Sequence, residues 1–190
     1  MAEKNFNIVI TGVGGQGLIT LLDLISQAAF ISGLDVKTSE LHGLSQRGGS
    51  VSVYIRFGSK IYSPIVPKGQ ANLILALEFQ EALNGLEFAN KQTTFVINNY
   101  QTPTLGESAS LKQVEENIKL ATDKIFILPF STICEKELNN PVLVGVAMLG
   151  FVINKGLLPI SKENIEQAVK STMPEKFWEV NLKALDLVKD

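Results

Sequence analysis

Hydrophobic and polar positions alternate along the chain in ways that separate strands from helices. "FNIVITG" is a continuous apolar run ending at Gly12, as a parallel strand covered on both faces requires. From Gln16 to Gly33 the period changes. Leu18, Leu21, Leu22, Ile25, Ala28 and Ala29 fall on one face of a helix, and Gly33 stands at its C-terminal stop. "LDVKTSEL" reads as a second short strand. "SVSVYIRF" then alternates strictly, with Val51, Val53, Ile55 and Phe57 on one side and Ser52, Tyr54 and Arg56 on the other. Gly58-Ser59, glycine first as a type II′ turn needs, predicts an antiparallel hairpin between this strand and "KIYSPIV".

Further on, "ANLILAL" is a buried strand followed by an amphipathic helix through Asn90, in which Glu78 and Glu81 read as first-turn acids favoured by the helix dipole. "TTFVINNY" and "KIFILPF" complete the strands, with the helix "SLKQVEENIKLA" between them. The remainder is helical: Pro141 to Asn154, Lys162 to Ser171 after a Ser161 cap, and a last helix opened by Pro174 that buries Phe177, Trp178, Leu182 and Leu185. No repeat or linker interrupts the order. The pattern predicts one α/β domain over residues 1–190, Rossmann-like, with a mixed sheet interrupted by an antiparallel hairpin.

Composition narrows the function classes. A chain of 190 residues buries roughly 70% of its unfolded surface as one domain. The net charge of −2 and the lack of a basic run take weight from nucleic-acid binding. "MAEKNFNIVITG" has no apolar h-region, and the apolar run from Val142 to Ile153 is about half a membrane span, so a cytoplasmic protein is expected. One Cys, Cys134, cannot ligate an iron–sulfur cluster, and one His, His42, argues against a His-rich zinc site. Cys134 in "STICEKEL" reads as a small apolar residue near a helix start, not an activated thiol.

Two stretches carry candidate chemistry. In "TGVGGQG", Gly12, Gly14 and Gly17 fit G-x-G-x-x-G after a strand and at the opening of a helix, with Gly15 and Gln16 inside the turn. Such a turn brings backbone N–H groups and a helix dipole to a phosphate; its bland alternative is a tight strand–helix packing turn. Gln16 either caps the helix start or touches a ligand amide. A P-loop is excluded, because Leu18 and Ile19 stand where Lys and Ser/Thr are needed. Glu40, roughly twenty residues past Gly17, is where a dinucleotide-binding acid would grip the ribose. The chain then runs through "HGLSQRGGS" instead of into a crossover helix, which argues against a free-standing dehydrogenase.

"GVGGQGL", "SELHGLSQRGGSV", "ANLILALEFQEAL", "MLG" before "LPIS", and "NLKAL" occur in an order that resembles the gamma-type domain of the 2-oxoacid:ferredoxin oxidoreductases, the fold of domain III in the pyruvate enzymes. Within that family the likeness is to the beta-subunit type of the indolepyruvate branch. Gly145 stands where members often have Asn ahead of "MLG". The resemblance implies oxidative decarboxylation of indolepyruvate or other arylpyruvates to an acyl-CoA, with reduction of ferredoxin. It places thiamine diphosphate, magnesium and [4Fe–4S] clusters on a larger alpha subunit, with coenzyme A as a substrate of the complex. It makes the polar segment a loop facing that partner. His42 and Arg47 are then the candidates for a catalytic role, and Glu40, Ser45, Gln46, Arg47, Gly48 and Gly49 join the glycine turn as candidate cofactor contacts. Arg47 would offer a planar charged fork to a phosphate or carboxylate, or an ion pair to a partner acid. Gly48 and Gly49 would allow positive φ or close backbone approach. A gamma subunit for pyruvate or another 2-oxoacid, an NAD-dependent dehydrogenase and a non-catalytic nucleotide-binding module remain as alternatives.

Overall fold

The computed structural model describes residues 5–42, 48–103 and 108–188. The strands are β1 (Phe6–Val13), β2 (Asp35–His42), β3 (Ser50–Gly58), β4 (Leu73–Ala76), β5 (Thr94–Asn98) and β6 (Ile125–Leu128). They form one six-stranded sheet in the order β2-β3-β1-β4-β5-β6. β1 pairs in parallel with β4, β4 with β5 and β5 with β6, while β3 runs antiparallel to both of its neighbours, β1 and β2. The helices are α1 (Leu18–Ile31), α2 (Leu111–Lys119), α3 (Phe130–Leu138), α4 (Val144–Asn154), α5 (Lys162–Thr172) and α6 (Trp178–Leu185).

Why the central strands read as unbroken apolar runs is visible in their burial. Ile8 and Ile10 of β1 pack in one cluster, beneath α1 and α4, whereas Val9 joins a second cluster on the opposite face. Leu73 and Leu75 of β4 divide from Ile74 and Ala76 in the same way. Each side chain alternates between faces, but both faces are covered, so every position is apolar. Phe57, Phe95, Phe130 and Phe151 are among the largest fully buried side chains. Each contributes roughly 1.5–3 kcal/mol of burial. Gly33 ends α1 as expected: at φ 76 it lets its own N–H reach Phe30 O and that of Leu34 reach Ala29 O.

The antiparallel hairpin exists, but its strands are β2 and β3, not β3 and "KIYSPIV". β3 has β1 on its other side, so both of its edges are already paired and no ladder is left for residues 60–66. Pro64 would also have removed a donor from such a strand. Side chains hold this segment instead. Asp35 Oδ2 accepts from Ile61 N at 2.7 Å, and Arg56 Nη1 donates to the carbonyls of Ser63 and Ile65 at 2.9 and 3.0 Å. The Ile61 amide, above all, draws the Asp35 carboxyl below its ordinary range.

Two helical expectations are also corrected. The element after β4 is a 3-10 helix over Gln80–Phe88, not an α-helix through Asn90. Asn84-Gly85 is a poor α-helical pair, and Gly85 packs so closely that a Cβ would meet Ile74 Cγ2 at 2.8 Å. In the last helix Leu185 is buried and Trp178 and Leu182 are half-buried, but Phe177 is 45% exposed. Phe177 sits in a 3-10 turn ahead of α6, off the face that packs on α4. The Ser161 cap of α5 is formed, its side chain accepting from Asn164 N.

Candidate functional site

The glycine turn leaves β1 at the carboxyl end of the parallel strands, where open α/β sheets place their ligands. Its residues form a closed local structure. Gly15 and Gly17 take φ 103 and 84, conformations that a side chain would strain. Gln16 N donates to Val13 O at 3.2 Å, and the Gln16 side chain folds back so that Oε1 accepts from Val13 N at 2.8 Å. That carboxamide lies over Gly12, where a Cβ would meet Oε1 at 2.8 Å. The first glycine of the motif therefore makes room for Gln16. Gln16 neither caps α1, whose N-cap position Gly17 has no side-chain cap, nor reaches outward with its oxygen.

Gln16 is held from behind by a residue the sequence reading misplaced. Glu78, expected as a first-turn acid, lies between β4 and the 3-10 helix and is only 3% exposed. Its Oε1 accepts from Gln16 Nε2 at 2.5 Å and from Thr102 Oγ1 at 2.5 Å, and its Oε2 accepts from Thr102 N at 3.2 Å. Three hydrogen bonds thus converge on one buried carboxyl group. The signal available in the sequence was position: an acid directly after a fully buried parallel strand stands at the ligand end of the sheet. Glu81, the other acid of "EFQEAL", does stand in the first turn of the 3-10 helix, half-buried, where it accepts from Ser50 Oγ at 2.6 Å and Asn84 Nδ2 at 2.8 Å.

The far end of the polar segment meets the turn. Gly14 N donates to Gly49 O at 2.9 Å, and Gly48 adopts φ 73. Ser45, Gln46 and Arg47 lie outside the described residues. His42 closes β2 opposite Val51, and Glu40 pairs with Val53 on the same edge strand. Because β3 lies between β1 and β2, Glu40 is two strand spacings from β1, on the order of 10 Å. It is therefore not beside the turn in the way a ribose-gripping acid must be. Glu40 instead adds to burial in raising the carboxyl of Asp23, on α1.

A cleft of about 440 Å³ opens between the turn, Gly48, the segment after β5 and the start of α3. Val13, Leu77, Tyr100, Val142 and Val144 give it apolar walls, and Gln16, Asn98, Thr102 and Ser131 supply polar atoms. No Lys or Arg is among its described lining residues. Asn98 is spent on structure: its Nδ2 donates to Leu77 O at 3.0 Å and Ser131 Oγ at 2.7 Å, and its Oδ1 accepts from Ser131 N at 3.1 Å. On the other side of Gln16 and Val142 lies a second cleft of about 370 Å³, walled by Leu21, Gly145, Met173 and Phe177. Gly145 faces Leu21 there, and a Cβ would meet Leu21 Cδ1 at 2.9 Å. The space an Asn would need at this position is filled by Leu21.

Cys134 is buried in the middle of α3, and burial pushes its thiol from the ordinary 9.0 up to about 11. It is a packed thiol, not an activated one. Among the described residues no group of three His, Cys, Asp or Glu is placed to hold a metal ion. No helix among them is long and apolar enough to cross a membrane.

Residues 7–190 match the family model described as pyruvate ferredoxin/flavodoxin oxidoreductase. The chain is 35% identical over 187 residues to the indolepyruvate oxidoreductase subunit IorB of Archaeoglobus fulgidus, covering 95% of this chain and 92% of that one. It is 30% identical over 193 residues to the common gamma subunit of the pyruvate/ketoisovalerate oxidoreductases of Pyrococcus furiosus, covering 97% and 93%. The fold is shared with the gamma subunit of a keto/oxoacid ferredoxin oxidoreductase from Geobacter sulfurreducens, at TM-score 0.72 and 21% identity over 96% of this chain and 95% of that one. It also recurs in the 2-oxoglutarate:ferredoxin oxidoreductase of Magnetococcus marinus, at TM-score 0.73 and 21% identity, where 96% of this chain corresponds to 30% of a longer one.

Proposed function

The chain belongs to the pyruvate ferredoxin/flavodoxin oxidoreductase family, and from that premise we propose that it is the small, non-autonomous subunit of an indolepyruvate:ferredoxin oxidoreductase. One observation carries the substrate branch: 35% identity to an indolepyruvate oxidoreductase subunit across nearly the whole of both chains. The chemistry is oxidative decarboxylation of an arylpyruvate to its acyl-CoA, with electrons leaving to ferredoxin. Thiamine diphosphate, magnesium and the [4Fe–4S] clusters belong to the larger subunit. This reading is supported by the make-up of the present chain, whose one cysteine is buried and protonated at neutral pH.

The role of this chain is to complete the site. The glycine turn and Gly48-Gly49 form one wall of the cleft at the carboxyl end of the sheet, and that cleft faces the larger subunit. In this reading Arg47 offers its guanidinium to a phosphate of coenzyme A, and Ser45 and Gln46 are further cofactor contacts. A dehydrogenase built on this turn is disfavoured by the place of Glu40.

Co-expression with a larger subunit rich in cluster-spaced cysteines tests the proposal. The isolated chain is expected to be colourless and inactive on arylpyruvates, and the pair to reduce ferredoxin with indolepyruvate and coenzyme A. Stoichiometric iron and sulfide on the isolated chain, arylpyruvate oxidation by it alone, or failure to associate with the larger subunit would overturn it.

A further inference from the structure

We infer that the chain carries a second ligand site, an oxyanion pocket built around Arg56 at the amino end of the parallel strands, and that it takes phosphate. The inference is independent of the proposed function. β1, eight residues long, sets the pocket roughly 20 Å from the glycine turn.

A cavity of about 280 Å³ opens where β1, β4 and β5 begin, with Asn7, Arg56, Asn72, Asn90 and Gln92 in its lining. No Asp or Glu is among its described lining residues. Arg56 stands half-buried on β3, opposite Asn7. Its Nε donates to Asn7 Oδ1 at 2.9 Å, and its Nη1 to the carbonyls of Ser63 and Ile65 at 2.9 and 3.0 Å. All three acceptors are neutral. Among the described residues Nη2 has no partner, and no acid pairs with the guanidinium. A guanidinium is a permanent cation, and a half-buried one without a counter-charge carries a desolvation cost that a bound anion offsets.

The carboxamides around it have their oxygens engaged by the protein. Asn72 Oδ1 accepts from Asn7 N at 2.8 Å, and Gln92 Oε1 accepts from Lys124 Nζ at 2.9 Å. Asn7 and Asn90 are spent at both ends: their oxygens accept from Arg56 Nε and Gln92 N, and their amides donate to the carbonyls of Gln70 and Gly69. The carboxamides of Asn5 and Gln70 are unbonded among the described residues and can present either end. The fixed groups therefore leave donors over, at Arg56 Nη2, Asn72 Nδ2 and Gln92 Nε2, and no fixed acceptor. Lys124 adds a second cation beside Gln92. Donors without acceptors, around a cation without an acid, suit an oxyanion. Because the three donors come from three separate segments, phosphate, with acceptor oxygens in several directions, fits them better than a planar carboxylate. The volume lies just below the roughly 300–1,000 Å³ of pockets that enclose larger organic ligands, so the ligand is small.

Nuclear magnetic resonance titration of the full-length chain tests this with inorganic phosphate and with acetate, chloride keeping the ionic strength constant. The expected result is saturable shifts of the Asn7 amide and the Arg56 Nε–H with millimolar phosphate, and weaker, unsaturated ones with acetate. Asn72→Asp keeps the oxygen that accepts from Asn7 N but exchanges the spare donor for a carboxylate. Phosphate should then bind at least about tenfold more weakly. If that variant does not fold, Gln92→Glu, which likewise keeps its oxygen for Lys124, is read in the same way. Phosphate shifts that do not saturate, that acetate matches, or that persist unchanged in the variant would overturn the inference. So would shifts confined to the glycine turn, which would put the anion at the other end of the sheet. Because no partner is present, the outcome is separate from whether the chain assembles with a larger subunit.

Discussion

The amide of Gly14 donates to the carbonyl of Gly49 across 2.9 Å, joining the glycine turn after β1 to the residues that lead into β3. Two segments far apart in sequence thus share one wall of the cleft. A change in either is felt in the other, and the glycines differ in what each one makes possible.

Gly12→Ala should disturb the turn from within. A Cβ there would meet Gln16 Oε1 at 2.8 Å, Leu77 Cβ at 3.2 Å and Leu18 Cδ1 at 3.3 Å. The carboxamide must leave, exposing Val13 N and Glu78 without their partner. A loss of about 1–3 kcal/mol is expected in urea unfolding, together with faster hydrogen exchange at Val13. An unchanged midpoint with unchanged exchange would show that Gln16 does not depend on that space.

Gly15→Val tests conformation alone. Among the described residues, apart from the chain neighbours, no atom lies within 4 Å of a Cβ at Gly15, but φ is 103, a region a branched side chain rarely occupies. The fold should survive a cost of about 1–3 kcal/mol, with assembly or turnover in the complex impaired. Full activity with the larger subunit would make the turn purely structural.

Gly150→Ala should be the most damaging of the three. A Cβ on α4 at this point would overlap the Leu185 carbonyl of α6, which is backbone and cannot swing aside. A loss of more than about 3 kcal/mol is expected, read from thermal or urea unfolding, because the two helices must separate to admit one methyl. A loss under 1 kcal/mol would show that α6 moves freely on α4.

Cys134 gives a prediction in pH. Its thiol is raised from 9.0 to about 11 by burial, so the folded chain holds this proton more tightly than the unfolded chain. The stability it contributes is complete below about pH 9 and is lost as pH rises towards about 11. Unfolding midpoints of the natural chain should therefore fall more steeply over that window than those of Cys134→Ala. At pH 8 the thiol should react with iodoacetamide only on unfolding, and equal reaction in native and denatured protein would contradict its burial.

For Arg47 the expectation concerns the complex. Arg47→Ala should raise the KM for coenzyme A and lower kcat/KM roughly ten- to hundredfold while sparing assembly, and Arg47→Lys should recover part of the loss. Kinetics at several ratios of the larger subunit separate this from an interface ion pair, whose loss saturating partner would repair.

The sequence by itself determined most of what is local. The apolar run of β1, the strict alternation of β3, the face of α1 with its Gly33 stop and the Ser161 cap of α5 are all set by residues within a few positions of one another. The glycine turn at the carboxyl end of β1 was legible for the same reason, as was the family through "SELHGLSQRGGSV". What only the tertiary structure decided is where each strand edge and each polar group is spent. β3 pairs with β2 and β1, leaving residues 60–66 to be held by Asp35 and Arg56, because an edge can be filled once and the pattern does not say by which strand. Glu78 looked like any first-turn acid. Its burial depends on Gln16 and Thr102, neither of them near it in sequence, converging on one carboxylate. Glu40 sat at the right distance along the chain for a ribose, yet an intervening strand carried it away from the turn. Periodicity records which face a residue shows to the core, but hydrogen bonds between distant segments leave no periodic trace.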